Sequence, residues 1–482
     1  AYLCRRTAGG VTQVGIGSIA DGIARSLGDA YAAVTDPFGD TVVRLGVTGL
    51  SRAGKTVFIT SLVSNLLDRG RMPQFAAARR IEAAFLQPQP DMTLPRFDYE
   101  THLAAMTGGD PRWPQSTRAV SELRLSFRVR PEGMLAGFGG PRTVHLDIVD
   151  YPGEWLLDLS LLEQDYAAWS EGTLERMERR AEAADYLATA RAEDGALRLD
   201  EGRALALADA FKRYLAAARD EGRSDCTPGR FLLPGELEGS PVLTFAPLPM
   251  PAHTPRGSLW REMARRYDAY VDRVVRPFFR AHFSRIDRQV VLVDVLEAIH
   301  RGPRALEDLR RTMAEVLAAF RPGRNGWLSR LVNGRRADRI LFAATKADHL
   351  HHVQHPRLTA ILEAMVREAR DRAAFAGAQV QALALAALRA TVEEEVEQGG
   401  ETLPMVRGRL ASSGRQAAMY PGDLPEDPAR LLAPAREGAE AWLGADYALM
   451  TFLPATITRR PGEGLPHVRM DRAAAFLLGD RL

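Results

Sequence analysis

Lysine is nearly missing from this chain. Of its 63 basic residues only Lys55, Lys212 and Lys346 are lysines, and the rest are arginines. Cysteine is scarce as well: Cys4 and Cys226 lie far apart, which excludes a disulfide framework and suits a reducing compartment. No apolar run reaches the ~20 residues needed to span a bilayer, so a cytoplasmic location is expected, with peripheral attachment at the inner membrane as the closest approach to lipid. An excess of one charge is absent too, and a formal net charge of +2 gives no footing for broad electrostatic binding, so no nucleic acid is expected. What is present is 46% hydrophobic content over 482 residues, enough to bury a core larger than one compact domain and leave material for an appended module.

Two of the three lysines stand where a nucleotide-binding protein needs one. A compact ammonium fits where a planar, forked guanidinium would clash with a phosphate-wrapping loop or a purine ring. Lys55 closes Gly49-Leu50-Ser51-Arg52-Ala53-Gly54-Lys55-Thr56, a Gly-x4-Gly-Lys-Thr loop. The β-branched run Thr41 to Val47 before it reads as a strand, and Val57 to Leu67 after it reads as an apolar helix. This strand–loop–helix context makes the motif specific. Backbone N–H groups of Ser51, Arg52, Ala53, Gly54, Lys55, Thr56 and Val57 would face phosphate at the positive end of the helix dipole. Gly49 and Gly54 would allow close backbone approach, Lys55 would reach the outer phosphates, and the Thr56 hydroxyl would ligate magnesium.

Lys346 lies in Thr345-Lys346-Ala347-Asp348, just after the strand pattern Arg339 to Ala344. This order resembles the guanine-recognition element of GTPases. The Asp348 carboxylate would accept from guanine N1 and N2, a donor pair that adenine lacks. The Lys346 stem would lie along the purine. Thr345 stands where Asn is more usual. A third element, Ala386-Ala387-Leu388-Arg389, follows the apolar run Val380 to Leu385 and places the Ala387 and Leu388 backbone near guanine O6. GTP or GDP with Mg2+ is therefore the expected ligand.

The γ-phosphate sensors lie between these motifs. The strand pattern Thr143 to Val149 ends in Asp150-Tyr151-Pro152-Gly153, where Asp150 would meet magnesium through water and the Gly153 N–H would meet the γ-phosphate. Upstream, Thr117 is the candidate switch threonine that ligates magnesium in the triphosphate state, with Ser116 as its rival. After Asp-x-x-Gly comes Glu154, where small GTPases place a Gln that orients water. Arg52, the fourth residue of the phosphate loop, is placed to stabilise transition-state charge. The catalytic candidates are thus Arg52, Lys55, Thr117 and Glu154.

Gly49 to Thr56 followed by Phe58-Ile59-Thr60-Ser61-Leu62, Trp113-Pro114-x-Ser116-Thr117-Arg118, Asp150-Tyr151-Pro152-Gly153-Glu154-Trp155, Ala344-Thr345-Lys346-Ala347-Asp348-His349 and Phe476-Leu477-Leu478-Gly479-Asp480 together resemble the YcjX-like family of bacterial P-loop proteins, over roughly residues 15 to 482. The resemblance implies an α/β fold: a Ras-like P-loop NTPase core with a mostly parallel sheet, a large helical insertion and a C-terminal extension. It also implies a GTP-binding protein linked to envelope stress and to a membrane-protein partner.

On this reading residues 1–40 are an N-terminal helical segment. Residues 41–153 and 289–398 are the two parts of the core, 154–288 the helical insertion and 399–482 the extension. Helical patterns run over 161–191, 199–219 and 258–283, around a Pro-rich middle at 231–256, and the Pro- and Gly-rich 87–111 suits a mobile switch segment. Tyr447 to Thr458 reads as short strands and Met470 to Leu478 as a final helix. His349, His351, His352 and His355 carry no Cys, and the first three cannot all face one point on a helix or turn, so they read as a purine-adjacent loop rather than a metal site. Asp294 and Glu297 read as helix-capping or docking groups. Arg321 to Arg336, with five arginines around Trp327, is a candidate for docking on an anionic membrane or a partner. The function expected is a GTP hydrolase acting as a conformational switch. The alternative is an ATP-driven P-loop ATPase or kinase with the insertion as its lid, and a weaker one is a slow scaffold that uses GTP for stability.

Overall fold

Strand β1 (Thr41–Gly49) is buried along its second half, and its position explains the rest of the sheet. In the computed structural model, which describes residues 40–49, 52–115, 119–131, 140–223, 225–281, 285–318, 337–375, 377–442, 446–458 and 460–482, β1 sits centrally in seven strands ordered β2-β3-β4-β1-β5-β6-β7. The others are β2 (Ile81–Gln87), β3 (Ser121–Val129), β4 (Arg142–Asp150), β5 (Arg288–Val293), β6 (Arg339–Ala344) and β7 (Gln379–Ala384). β1, β5, β6 and β7 pair in parallel, while β2, β3 and β4 pair antiparallel. Parallel strands need crossovers and are covered on both faces, so they read as continuous apolar runs. In β5, Val290 and Leu292 enter one core with helix α1 (Lys55–Leu67), and Val291 and Val293 enter another on the opposite face. This is an α/β P-loop core of Ras-like type.

The connection from β4 to β5 is long and largely helical. It contains α3 (Glu154–Leu157), α4 (Tyr166–Met177), α5 (Ala184–Ala192), α6 (Glu201–Asp220), α7 (Gly229–Leu232), α8 (Leu259–Tyr270) and α9 (Arg276–Ala281). Its core is aromatic. Trp169 stacks on Tyr267 at 5.1 Å and meets Phe211 and Phe245 edge-on, pairs that each add about 0.5–1.5 kcal/mol beyond their area. The same cluster takes in Val149 and Tyr151 from the end of β4, so the segment is packed onto the strand that carries Asp150. The helical pattern over 161–191 is interrupted: Asp165 caps α4 by accepting from the Ala168 N–H at 2.9 Å. Arg180 is held in extended backbone, its guanidinium bonded to both oxygens of Asp225 at 2.8 Å.

Beyond β5 come α10 (Val295–His300), α11 (Pro303–Ala318) and α12 (His355–Phe375), then a second sheet of β8 (Val392–Gln398), β9 (Glu401–Arg409) and β10 (Gln416–Met419), and finally α13 (Ala429–Glu437) and α14 (Met470–Leu478). The last helix packs into the core beside α1. The buried Arg288 guanidinium ties its end to β5 through the Leu477 carbonyl at 3.1 Å and Asp480 at 2.7 Å.

Several expectations need correction. The division at 398/399 falls on the turn of the β8–β9 hairpin, where Gln398 pairs with Glu401, so the structure does not part there. Tyr447 to Thr458 forms no strand; it contributes one isolated bridge, Leu410 to Phe452, because Pro454 has no N–H to offer a ladder. The 87–111 segment contains α2 (Tyr99–Thr107), capped by Asp98. Residues 1–39 and the arginine-rich 321–336 lie outside the described residues. No helix among the described residues is long and apolar enough to cross a membrane.

Candidate functional site

The described part of the loop after β1 leads through Gly54 into the N-terminus of α1. Gly54 has φ 83 and ψ 28 and caps α1 without any side-chain bond. That left-handed conformation suits a residue with no Cβ, and it starts α1 without a capping side chain, at the helix end that favours an anion. Gly49 proves to be required for another reason than phosphate approach: a Cβ there would sit 2.8 Å from the Leu292 carbonyl oxygen of β5. Arg52 is also left-handed, at φ 63. Lys55 donates from Nζ to the Gly49 carbonyl at 2.9 Å, which holds the ammonium over the loop. Thr56 is buried in the first turn of α1.

The Lys346 loop follows β6 by the same strand-end logic. Lys346 has φ 58, and its ammonium pairs with Asp294 Oδ2 at 2.5 Å. Asp294 itself caps α10 by accepting from the Glu297 N–H at 3.2 Å, so the capping role expected of it is combined with orientation of the lysine. Asp348 is 5% exposed. Its Oδ2 accepts from the Ala390 N–H at 2.7 Å, and its backbone carbonyl accepts from the Thr391 hydroxyl. A carboxylate oxygen has two lone-pair sites, so this brace leaves acceptor capacity on both oxygens. His355 supports the same loop from beneath, its ring bonded to the Ala347 carbonyl at 2.7 Å and receiving Arg469 on the other nitrogen at 3.0 Å. Burial, and then the Arg469 charge, hold its pKa below the ordinary value. His349 is likewise lowered by burial, and its ring meets Phe452 edge-on at 5.4 Å.

One cavity of about 640 Å³ joins the two loops. Arg52, Ala53, Gly54, Lys55, Thr56 and Val57 line one end, and Lys346, Asp348, Ala387 and Leu388 line the other, with Glu154 also on its wall. Asp150 and Gly153 are buried at the end of β4 and do not line it; a bridging water is the route left to Asp150. Ser51, Thr117 and its rival Ser116 lie outside the described residues. The volume falls within the few-hundred to thousand Å³ typical of ligand sites.

Sequence reading missed two contributions. Arg219, Asp220 and Leu233 reach the cavity from the long helical segment, and Leu449 to Phe452 reach it from the C-terminal part. The second contribution is fixed by Trp113, whose indole N–H donates to the Phe452 carbonyl at 2.7 Å. Neither carries a motif. Glu154 is also clamped from behind. Arg230 of α7 stacks over the Trp155 ring at 3.1 Å from its centroid, and the Trp155 indole donates to the Leu233 carbonyl at 3.0 Å. The buried Asp158 carboxylate accepts from the Gly229 N–H at 2.7 Å and the Tyr270 hydroxyl at 2.5 Å. Burial pushes Asp158 up to about 6 despite these bonds.

A family model described as YcjX-like family, DUF463, matches residues 43–482. The chain belongs to the YcjX-like family. Two curated relatives match nearly end to end. The Ras-like GTPase YcjX of Escherichia coli K12 is 38% identical, over 92% of this chain and 96% of its own length. The Ras-like GTPase YcjX of Shewanella oneidensis MR-1 is 35% identical, over 92% and 95%. Among solved structures, the signal recognition particle receptor SRb-GTP/SRX complex from Chaetomium thermophilum aligns at 10% identity and a TM-score of 0.24, over 75% of this chain and 95% of that one, a likeness that carries no argument. Within this YcjX-like chain, the phosphate-loop and guanine-type motifs are the parts that the cavity brings together.

Proposed function

We propose that this YcjX-like chain is a GTPase that uses the 640 Å³ cavity as its nucleotide site and changes conformation between its GTP and GDP states. The observation that carries the reading is the union, in one cavity, of the Gly54-Lys55-Thr56 turn with the Asp348 carboxylate. The first offers a cation and the N-terminal end of α1 to phosphate, and the second offers an acceptor pair to guanine. Two relatives that span almost the whole chain carry the name Ras-like GTPase, which supports the same activity.

Magnesium fits the donors. The buried Thr56 hydroxyl and the Asp150 carboxylate are hard oxygen groups of the kind Mg2+ takes, with water completing its shell. The ion would neutralise phosphate charge. Lys55 would hold the outer phosphates, Arg52 would follow charge as it develops, and the α7 clamp on Trp155 supports a link between the γ-phosphate sensor and the helical segment. The ATPase or kinase alternative lacks an observation in its favour, because the acceptor at Asp348 matches guanine. A role in envelope stress, with a membrane protein or an anionic bilayer engaged through 321–336, rests on the family likeness and on that segment's composition.

Titration of GTP, GDP, ATP and ADP with magnesium tests the reading. Guanine nucleotides should bind more tightly, and Asp348→Asn should remove most of that preference, a loss of about 1.5–3 kcal/mol for one charge-assisted contact. Equal affinity for ATP and GTP in the unaltered protein would sink the proposal.

A further inference from the structure

The histidines after the Lys346 loop divide into different tasks. His349 faces the cavity and His355 holds the loop backbone, but His351 and His352 turn away together and meet Glu393 of β8. His352 Nδ1 lies 2.7 Å from Glu393 Oε2, and His351 Nε2 lies 3.8 Å from the same oxygen. One ligand atom from each of the three lies within 4.8 Å of the others. The two imidazoles are 4.4 Å apart and inclined at 36°. Adjacent residues achieve this because the chain is extended at His351 and begins a 3-10 turn at His352. That bend escapes any rule that treats the segment as one helix or one turn.

His351 is the informative member. It is 96% buried, being 4% exposed, yet its Nδ1 has no hydrogen-bond partner among the described residues. Its Nε2 stands beyond hydrogen-bond reach of Glu393. The buried Nδ1 costs free energy where it stands; the nitrogen turned to the cluster is the other one, Nε2, and a cation between it and the carboxylate oxygen would engage it directly. Zinc bonds of ~2.0–2.2 Å to nitrogen and oxygen span a separation of this order, with the ion between the two atoms. Glu393 is prepared for such a partner: Arg389 Nη2 approaches its other oxygen, Oε1, at 3.3 Å, fixing the carboxylate and leaving Oε2 turned to the histidines. Orientation of a ligating group by an outer partner is the usual companion of a metal site.

We propose that His351, His352 and Glu393 form a binding site for a transition-metal dication, zinc by preference, with an open position for water. The donor set argues the metal. Two imidazoles and one carboxylate suit zinc, nickel or copper, whereas magnesium takes oxygen ligands, so this site is chemically separate from the magnesium expected at the phosphates. Its place argues the consequence. His351 stands three residues after Asp348, and Glu393 stands three after Ala390, the residue whose N–H already braces the Asp348 carboxylate. A bound ion would add a second tie between the same two segments and stiffen the base-contacting loop. This last step rests on the guanine reading above; the metal site itself does not.

The test uses the full chain, stripped with chelator and then held in saturating magnesium and GDP, so that zinc cannot report the phosphate site. Zinc is titrated by competition with a chromophoric chelator. One equivalent should bind, and His352→Ala and Glu393→Gln, both altering partly exposed side chains, should each weaken it by at least about tenfold. A His349→Ala protein should bind zinc like the parent. Failure of zinc, nickel and copper to bind, or binding unchanged in both variants, would overturn the site. Guanine-nucleotide affinity is measured separately with and without zinc. Zinc binding without any change in nucleotide affinity would overturn the coupling and leave the guanine reading untouched.

Discussion

Replacing Gly229 by alanine sets two physical arguments against each other. Gly229 opens α7, and in a helix alanine is favoured over glycine by about 1 kcal/mol, so propensity alone predicts a more stable protein. The packing predicts the reverse. A Cβ at Gly229 would stand 2.1 Å from the carbonyl oxygen of Glu154 and 2.4 Å from its carbon. Both are backbone atoms, so no flexible side chain can yield, and ordinary contact requires α7 and α3 to separate by roughly 1 Å. Overpacking of this kind costs about 1–3 kcal/mol. The separation would also strain the charge-assisted bond from the Gly229 N–H to Asp158 and the Arg230 stack on Trp155, worth about 1.5–3 and 0.5–2 kcal/mol when fully lost. A net destabilisation of about 3 kcal/mol is expected, read as a lower urea midpoint at unchanged slope. Gly172→Ala in α4 is the control: its added Cβ meets nothing nearer than Arg176 Nη1 at 3.5 Å, so it should be neutral or stabilising. Because the displaced carbonyl belongs to Glu154, Gly229→Ala should also change single-turnover GTP hydrolysis. If Gly229→Ala matched the parent in stability, the close apposition of α7 and α3 would be wrong.

Lys55→Ala should weaken triphosphate binding by about ten- to a hundredfold, the equivalent of one charge-assisted contact; unchanged GTP affinity would mean that the phosphate loop is not the site. Arg52→Ala should keep GTP affinity within about tenfold and lower turnover by at least that factor, while Glu154→Gln leaves turnover unchanged or raises it. Single-turnover rates decide this, and an unchanged rate in Arg52→Ala would shift attention to Arg219, the guanidinium that the helical segment brings to the same cavity. Asp158 gives a pH signature. Its folded-state pKa of about 6 lies above the ordinary 3.8, so the folded protein holds this proton more tightly than the unfolded chain. Its contribution to stability is therefore full below pH 4 and is lost as pH rises to about 6, on the order of 3 kcal/mol at 1.36 kcal/mol per unit. Asp158→Asn should remove that slope; parallel pH–stability curves for the two proteins would refute the assignment.

The parts legible in the sequence were those whose chemistry is local. Lys55, Thr56, Lys346 and Asp348 each sit in a short loop at a strand end, where spacing alone fixes what the backbone can present. Arg219 and Leu233 could not be found this way. Their role depends on how a long helical segment folds back over the core, and nothing near them in sequence differs from an ordinary helix end and loop. Tyr447 to Thr458 misled for a related reason: the alternation of apolar and polar residues is that of a strand, but its hydrogen bonds are scattered over an isolated bridge to Leu410, Trp113, His300 and the Met419 sulfur. The acidic run of β8 sent no strand signal, since glutamate favours helices; pairing with β9 overrode the preference. The expectation that His349, His351 and His352 do not share one point agrees with the structure, where His349 lines the cavity and only His351 and His352 meet Glu393; that second grouping was not legible because the backbone changes from extended to a 3-10 turn between those two residues.

Within these 482 residues the amine-bearing side chains are almost confined to one place. Lys55 and Lys346 line the cavity and Lys212 sits on α6, so a reagent that acylates primary amines, ordinarily a blunt probe of a whole protein surface, becomes here a nearly site-directed one. Protection of two lysines against such a reagent would count occupancy at both ends of the cavity at once, read by mass from the unmodified protein, while the third lysine serves as the internal standard.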